Sequence, residues 1–297
     1  MDLDRARVAI DRTLAEVLDA GLRDAPYQVS EPIRYAVLAP GKRVRPLLVL
    51  AAHAAVADTA AHEPGPALLR LACAVELVHA YSLIHDDLPC MDDDDLRRGR
   101  PTVHVEFGVR IAILAGAALM PLAVELVGRS ALEVGLNDGT AARLILILTA
   151  ASGGGGMVGG QLLDLAAEGR VVDEVELERI HCGKTAGLIR AACLIGAISA
   201  GGSDDAVARA GRYGLSLGLA FQVVDDILDV TGTPQSMGKA GGRDAVLRKA
   251  TFPTLVGVAG ARRRARELLG AALAEVAALP GAAKLDDIAS LVVERDR

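Results

Sequence analysis

The chain has 297 residues, with no Trp, three Phe, four Tyr, 52% apolar residues and a net charge of −6. Ala and Leu supply most of the apolar content, which favours packed helices over sheets, where β-branched and aromatic residues concentrate. An acidic balance with few aromatic platforms excludes a protein that coats nucleic acid.

Apolar residues recur at helical spacing along most of the chain. Residues 4–22 place Val8, Leu14, Val17, Leu18 and Leu22 near an i, i+3, i+4 pattern, and similar patterns predict helices over 45–56, 67–85, 103–127, 141–151, 174–200, 206–230 and 251–279. Alternation of period two never persists. Turn chemistry separates the helices at Pro40-Gly41, Glu63 to Pro66, Asn137-Asp138-Gly139, Gly201-Gly202, Gly232-Thr233-Pro234, Gly241-Gly242 and Pro280-Gly281. No linker or repeat interrupts the pattern, so residues 1–297 read as a single all-α domain. Several helices are apolar nearly all round, which implies a buried central layer or a dimer interface.

The start, Met1-Asp2-Leu3-Asp4-Arg5, lacks the apolar core of a secretory signal. Cys73, Cys90, Cys182 and Cys193 show no C-x-x-C spacing, so reduced thiols in the cytoplasm are expected. The longest uncharged run, Leu144 to Leu163, reaches membrane-spanning length. Gly153–Gly156 weakens it as one helix, so no membrane span is expected.

The segment His85 to Arg100 holds six carboxylates within ten residues, followed by Arg97, Arg98 and Arg100. Such crowding repels unless a cation sits among the carboxylates. Calcium would call for the D-x-[DN]-x-[DN]-G pattern, which is absent. Magnesium suits the segment better, because it takes one or two carboxylates and completes its shell with water and phosphate oxygens. On a straight helix Asp86 and Asp92 would lie about 120° apart, so a break at Pro89 is expected to bring them together.

A second acidic site, Phe221 to Asp229, puts Asp225 and Asp229 on one helical face inside apolar sequence. Carboxylates there need partners or metal. Two such clusters in one helical chain point to a diphosphate clamped through Mg²⁺. Lys42, Arg43 and Arg45, with Arg97, Arg98, Lys184 and Lys239, are candidate direct cations for phosphate. Gly183-Lys184-Thr185 is no P-loop, because Glu178 stands where the earlier glycine is required. Gly153–Gly156 and Gly159-Gly160 follow no strand, so they read as sites of close helix packing.

The motifs Gly41-Lys42-Arg43-Val44-Arg45-Pro46, His79 through Thr102, Gly159-Gly160-Gln161, Lys184-Thr185, Phe221 through Asp229, Gly238-Lys239 and Lys249 to Pro253 together resemble those of trans-type isoprenyl diphosphate synthases of the polyprenyl synthetase family. The resemblance implies an isoprenoid-synthase-type helical bundle around a central cavity, as a homodimer. It implies that Asp86, Asp92 and Asp225 bind three Mg²⁺ ions, with Asp87, Asp226 and Asp229 in support. Arg97, Lys184 and Lys239 would hold an allylic diphosphate, and Lys42, Arg45, His79 and Arg98 would hold isopentenyl diphosphate. Thr185 and Gln222 would orient the allylic carbon and, with Lys184, form the catalytic set. Tyr81 and Ser82 would set product length, with Tyr81 favouring the fifteen-carbon farnesyl product over geranylgeranyl diphosphate.

Two positions depart from the family pattern. Ala117 stands where the family commonly has Asp, and Pro40 where it often has a glycine. Ala117 lends weight to a non-catalytic subunit of a heteromeric synthase, but both aspartate motifs are complete. A terpene cyclase or diphosphate hydrolase would not need the second set of cations at Lys42, Arg45 and His79.

Overall fold

The structure, a computed structural model, describes residues 2–57, 63–231 and 249–293. Helices dominate it, in chain order α1 (Leu3–Gly21), α2 (Tyr27–Val37), α3 (Val44–Ala57), α4 (Pro66–Asp86), α5 (Val103–Phe107), α6 (Val109–Glu133), α7 (Asp138–Ser152), α8 (Met157–Ala167) and α9 (Glu174–His181). A π-helical turn, Cys182–Ala186, leads into α10 (Gly187–Ser199), followed by α11 (Asp204–Thr231), α12 (Phe252–Val276) and α13 (Ala283–Val293). The exception is a two-stranded antiparallel hairpin, β1 (Leu96–Arg97) with β2 (Arg100–Pro101), too short to show in any apolar pattern.

Local chemistry sets the helix boundaries. The Asp2, Asn137 and Asp173 carboxylate or amide oxygens accept from backbone N–H groups three residues on, and Thr251 with Thr254 forms a reciprocal cap at α12. The sequence pattern runs 103–127 as one helix, whereas Gly108 (φ 87°) divides it into α5 and α6. It also runs 174–200 as one helix, which the π turn interrupts. Helices α2, α8 and α13 have no counterpart in the apolar pattern. They are only eleven residues each, α2 contains Pro32, and α8 follows four glycines.

Helix α4 is buried nearly all round, and α6 packs along it. Helix α10 is sandwiched between α3 and α11, and α11 lies against α12. Small residues make this possible. A Cβ at Gly196 would sit 2.2 Å from the Val49 carbonyl oxygen, so α10 and α3 touch backbone to backbone. The uncharged run 144–163 is split between α7 and α8. By length and composition the stretches 66–86, 109–133, 138–167 and 174–199 are long and apolar enough to cross a membrane. The first and last are largely buried within the fold, while α6, α7 and α8 expose Leu114, Leu132, Leu146 and Leu162.

Arg43 corrects one sequence expectation. It is not free to meet a phosphate, because its guanidinium is buried and fully engaged. Nε donates to Asp11 Oδ1 (2.7 Å), Nη1 to Glu76 Oε1 (2.8 Å), and Nη2 to the carbonyls of Val37 (3.0 Å) and Ala39 (2.9 Å). The partners Asp11, Glu76 and Val37 lie on α1, α4 and α2, so one cation ties three helices together at the start of α3. Removing one partner of a buried pair leaves an uncompensated charge. Glu76→Ala is expected to lower unfolding free energy by about 3–5 kcal/mol, read from urea melts, whereas the exposed Glu16→Ala is expected to change it by less than about 0.5 kcal/mol.

Candidate active site

The first acidic segment begins where α4 stops. The helix ends at Asp86, three residues ahead of Pro89, and the chain folds back through a tight turn. Asp92 N–H donates to the Asp86 carbonyl (2.8 Å) and Asp94 N–H to the Asp87 carbonyl (3.2 Å), with Asp93 in the left-handed region at φ 51°. The expected approach of Asp92 to Asp86 is therefore present. It is made by a backbone turn rather than a kinked helix. Asp87 faces the other way and accepts from Arg97 Nε at both oxygens (2.7 and 2.9 Å) and from Arg97 Nη2. That fork fixes the hairpin to the end of α4.

The second part of the site is built on glycine. Helix α8 meets the π turn so closely that a Cβ on Gly160 would lie 2.1 Å from the Lys184 backbone nitrogen, and one on Gly183 would lie 2.9 Å from Gly160 Cα. π turns commonly mark functional positions. Here the turn presents Lys184 and Thr185 side by side to different partners. Lys184 Nζ lies 2.5 Å from Asp164 Oδ2 and 3.8 Å from Asp92 Oδ2. Lys249 Nζ completes the group at 2.8 Å from Asp92 Oδ1 and 3.3 Å from Asp164 Oδ2. Thr185 Oγ1 donates to Gln222 Oε1 (2.7 Å), and Gln222 Nε2 donates to Asp226 Oδ1 (3.1 Å). Asp226 Oδ2 accepts the Phe252 N–H (2.9 Å), which anchors the start of α12. Two polar groups thus meet at the π turn: Lys184 reaches Asp92 of the first acidic motif, and the adjacent Thr185 reaches Asp226 of the second through Gln222.

Burial and neighbouring charge drive the carboxyl groups apart. Burial pushes Asp86 up to about 6, against the pull of Lys184 and with a further push from Asp92. Burial acts on Asp92 too, but Lys184 and Lys249 overcome it and hold that carboxyl down at about 2. Asp164 is lowered in the same way against its burial. Lys184 and Lys249 are raised despite burial, because Asp164 and Asp92 favour their charged forms. Behind them His181 falls to about 4, chiefly through burial, and is neutral.

The third part is a basic cleft lined by His79, Arg97 and Arg98, with Tyr35, Asp87 and the Arg43–Glu76 pair in its wall. Burial, then the cations of Arg45, Arg98, Arg97 and Arg43, hold His79 well below the usual imidazole range, so it is neutral. Arg98 Nη1 donates to the Pro40 carbonyl (2.7 Å), and a Cβ at Gly41 would collide with its guanidinium at 2.6 Å. The glycine after Pro40 makes room for Arg98, and Pro40 serves through its carbonyl. Lys42 is exposed and Arg45 half-buried at the start of α3.

Tyr81 and Ser82 lie on α4 one turn before Asp86. Ser82 is buried and donates back to the His79 carbonyl (2.9 Å). The half-buried Tyr81 ring packs edge-on to His85 at 4.8 Å, and His85 is in turn fixed by the Ile113 carbonyl and the bare face of Gly116. Ala117 is exposed on α6 beside this contact. Asp225 is exposed and Asp229 half-buried on α11. Lys239 falls outside the described residues.

Sequence reasoning missed Asp164 and assigned no role to Lys249 or Gln161. Asp164 is the one charged residue of α8, a signal that was available in an otherwise apolar helix. Gln161 is buried, donates to Asp92 Oδ1 (3.3 Å) and leaves its own Oε1 without a hydrogen-bond partner. That orphaned acceptor and the hard carboxylates of Asp86 and Asp92 fit a Mg²⁺ ion that carries water. Among the described residues no three carboxylates, imidazoles or thiolates converge into a closed metal site. Such a site would have to be completed by substrate oxygens.

The contact between α8 and the π turn gives a direct test. Gly160→Ala is expected to push Lys184 away from Asp164 and Asp92, costing about 1–3 kcal/mol of stability as an overpacked contact. Inorganic diphosphate binding, followed by calorimetry in Mg²⁺, should weaken in the folded variant, and unchanged binding would separate Gly160 from the site.

The polyprenyl synthetase family profile matches residues 26–285. The farnesyl diphosphate synthase of Escherichia coli is 42% identical over 305 aligned residues, covering all of both chains. The chloroplastic geranylgeranyl pyrophosphate synthase 11 of Arabidopsis thaliana is 44% identical over 82% of this chain and 67% of its own. The crystal structure of a Helicobacter pylori geranyltransferase, complexed with magnesium and isoprenyl diphosphate, superposes with a TM-score of 0.80 at 31% identity over 96% of this chain and 97% of that one. A profile spanning most of the sequence, a full-length relative and a shared helical fold agree: the chain belongs to the polyprenyl synthetase family, as a trans-prenyltransferase of isoprenoid biosynthesis.

Proposed function

We propose that this prenyltransferase condenses isopentenyl diphosphate with dimethylallyl and then geranyl diphosphate to give farnesyl diphosphate. The reading is supported by the π turn that sets Lys184 against Asp92 and, on the next residue, Thr185 against Gln222, since it puts a charge cluster suited to diphosphate beside groups able to face a reacting carbon. Enzymes of this family use a divalent metal. In this chain Asp86, Asp92 and Asp225 would hold three Mg²⁺ ions, which when bound supply charge neutralisation for a leaving diphosphate.

The protein's own groups do the rest. Lys184, Arg97 and Lys239 hold the allylic diphosphate and favour its departure, because fixed cations in a poorly hydrated site stabilise developing negative charge strongly. Lys42, Arg45, His79 and Arg98 hold isopentenyl diphosphate in the basic cleft. The neutral His79 donates a hydrogen bond there without adding another cation to a crowded group. Thr185 and Gln222 turn oxygen atoms toward the allylic carbon as positive charge grows on it. The isopentenyl double bond attacks that carbon, and the proton lost from the adduct passes to the released diphosphate, so no protein general base is required. Apolar helices exclude water that would otherwise capture the cation.

Tyr81 supports the fifteen-carbon product, since its ring is pinned by His85 one turn below the metal-binding aspartate. The geranylgeranyl alternative is favoured by the plant relative, whose name carries that product. The exposed leucines of α6, α7 and α8 support a homodimer, with a second copy of the chain covering them. All four cysteines are free, in keeping with a cytoplasmic enzyme.

Purified protein with isopentenyl and geranyl diphosphates should yield farnesyl diphosphate in Mg²⁺ and nothing in EDTA. A twenty-carbon product from the wild type would keep the chemistry and overturn the length assignment, and absence of any condensation would turn attention to a subunit role. Tyr81→Ala is expected to lengthen the product beyond that of the wild type, as chromatography after dephosphorylation would reveal.

Asp86 sets a pH dependence. Its carboxyl must ionise to hold a cation, and in the metal-free protein it is protonated below about 6. Mg²⁺ affinity in the presence of diphosphate should therefore fall about tenfold per pH unit below that point and level off above it. Calorimetry in buffers of different ionisation enthalpy should show proton release on binding near the midpoint, and a flat profile would exclude Asp86 as a ligand.

A further inference from the structure

We propose that Tyr35 is a positioning residue for the isopentenyl diphosphate site, holding the arginine hairpin in place from the wall of the cleft. The proposal rests on the reading of the basic cleft given above. The hairpin turns at Arg98 (φ 54°) and Gly99 (φ 75°), two consecutive left-handed residues. Such a turn suits a two-residue hairpin, but it strains an arginine, which persists there only when its surroundings determine it.

Three attachments do so. On the first strand, Arg97 is forked onto Asp87. At the tip, Arg98 reaches the Pro40 carbonyl. On the second strand, Tyr35 makes two contacts. Its hydroxyl donates to the Pro101 carbonyl (2.8 Å), and its ring lies under the Arg100 guanidinium at 4.2 Å from the centroid. Phe107 packs edge-on to the same ring at 5.3 Å, so Tyr35 is itself held by α5.

Two of the three attachments lie on α2 and the loop that follows it. That loop also leads into Lys42 and Arg45. Tyr35 and Pro40 therefore fix the arginine hairpin relative to α2 and to the segment that leads into Lys42 and Arg45. Arg97 has its own anchor on Asp87, so the loss of Tyr35 should disturb the Arg98 side more than the Asp86 side.

The test is Tyr35→Phe, which removes one hydroxyl and keeps the ring. KM for isopentenyl diphosphate is expected to rise about fivefold, the effect of one lost hydrogen bond. KM for geranyl diphosphate and kcat should move less than about twofold. Amide hydrogen exchange across residues 96–102 should quicken. Arg100→Met, which cuts the ring contact from the hairpin side, should reproduce the same signature. An unchanged KM for isopentenyl diphosphate overturns the proposal. So does an equal rise in both KM values, or a fall in kcat alone, since either marks general damage. A wild-type chain that condenses nothing would sink the enzymatic reading instead, and the exchange measurement would still decide whether Tyr35 holds the hairpin.

Discussion

Two lysines and two aspartates, held within a few ångströms of one another, organise this protein. Lys184 and Lys249 lie between Asp92 and Asp164, and each carboxylate contacts both ammonium groups. Their positions come from four separate parts of the chain: the turn after α4, helix α8, the π turn and the segment before α12. None could shift alone without leaving a buried charge uncompensated, which costs far more than an exposed ion pair contributes. The knot therefore acts as a structural pin for distant segments. It also carries equal numbers of positive and negative charges. On the function proposed above, a diphosphate would draw Lys184 and a cation would draw Asp92, so each arrival would free a partner of the other.

Much of the site was legible because carboxylates are expensive to crowd. Six of them in ten residues announce a cation, and Asp225 with Asp229 inside apolar sequence announces another need for compensation. The aspartates' approach was expected from a break at Pro89, and the turn that closes from Asp86 to Asp92 contains that proline, with the helix already ended at Asp86. Asp164 escaped notice because a lone acid in a helix is more often solvated than not. Arg43 misled for the opposite reason. It sits in a run of cations, and only the folded chain brings Asp11 and Glu76 to it from thirty-odd residues away on either side.

The fold was legible at the level of class and less so at its joints. Long helices such as α1, α4 and α11 carry several turns of apolar spacing and follow the pattern to within a residue or two. The failures cluster at short helices and at breaks inside long ones, where a single glycine or a changed hydrogen-bond register decides. Gly108 is such a break. The π turn is another, and no residue type marks it: Cys182-Gly183-Lys184-Thr185-Ala186 could continue an α-helix. Close backbone contact with α8 at Gly160 and Gly183 accompanies the wider turn there. The hairpin at 96–101 is likewise set by its anchors on Asp87, Pro40 and Tyr35 rather than by strand propensity.

The π turn has a further effect along the helix axis. A π turn spends one more residue per hydrogen-bonded loop than an α-helical turn. Every side chain after it is therefore rotated by about 100° relative to an uninterrupted helix. Helix α10 begins immediately afterwards and is buried nearly all round, with Gly196 against α3 and Cys193 against Gly214 of α11. The extra residue that exposes Lys184 and Thr185 to their partners is thus the same residue that phases α10 onto the core. Removing it to regularise the helix would carry Gly196 away from Val49 and bring a larger side chain to that close contact, so site and core share a single frame of register.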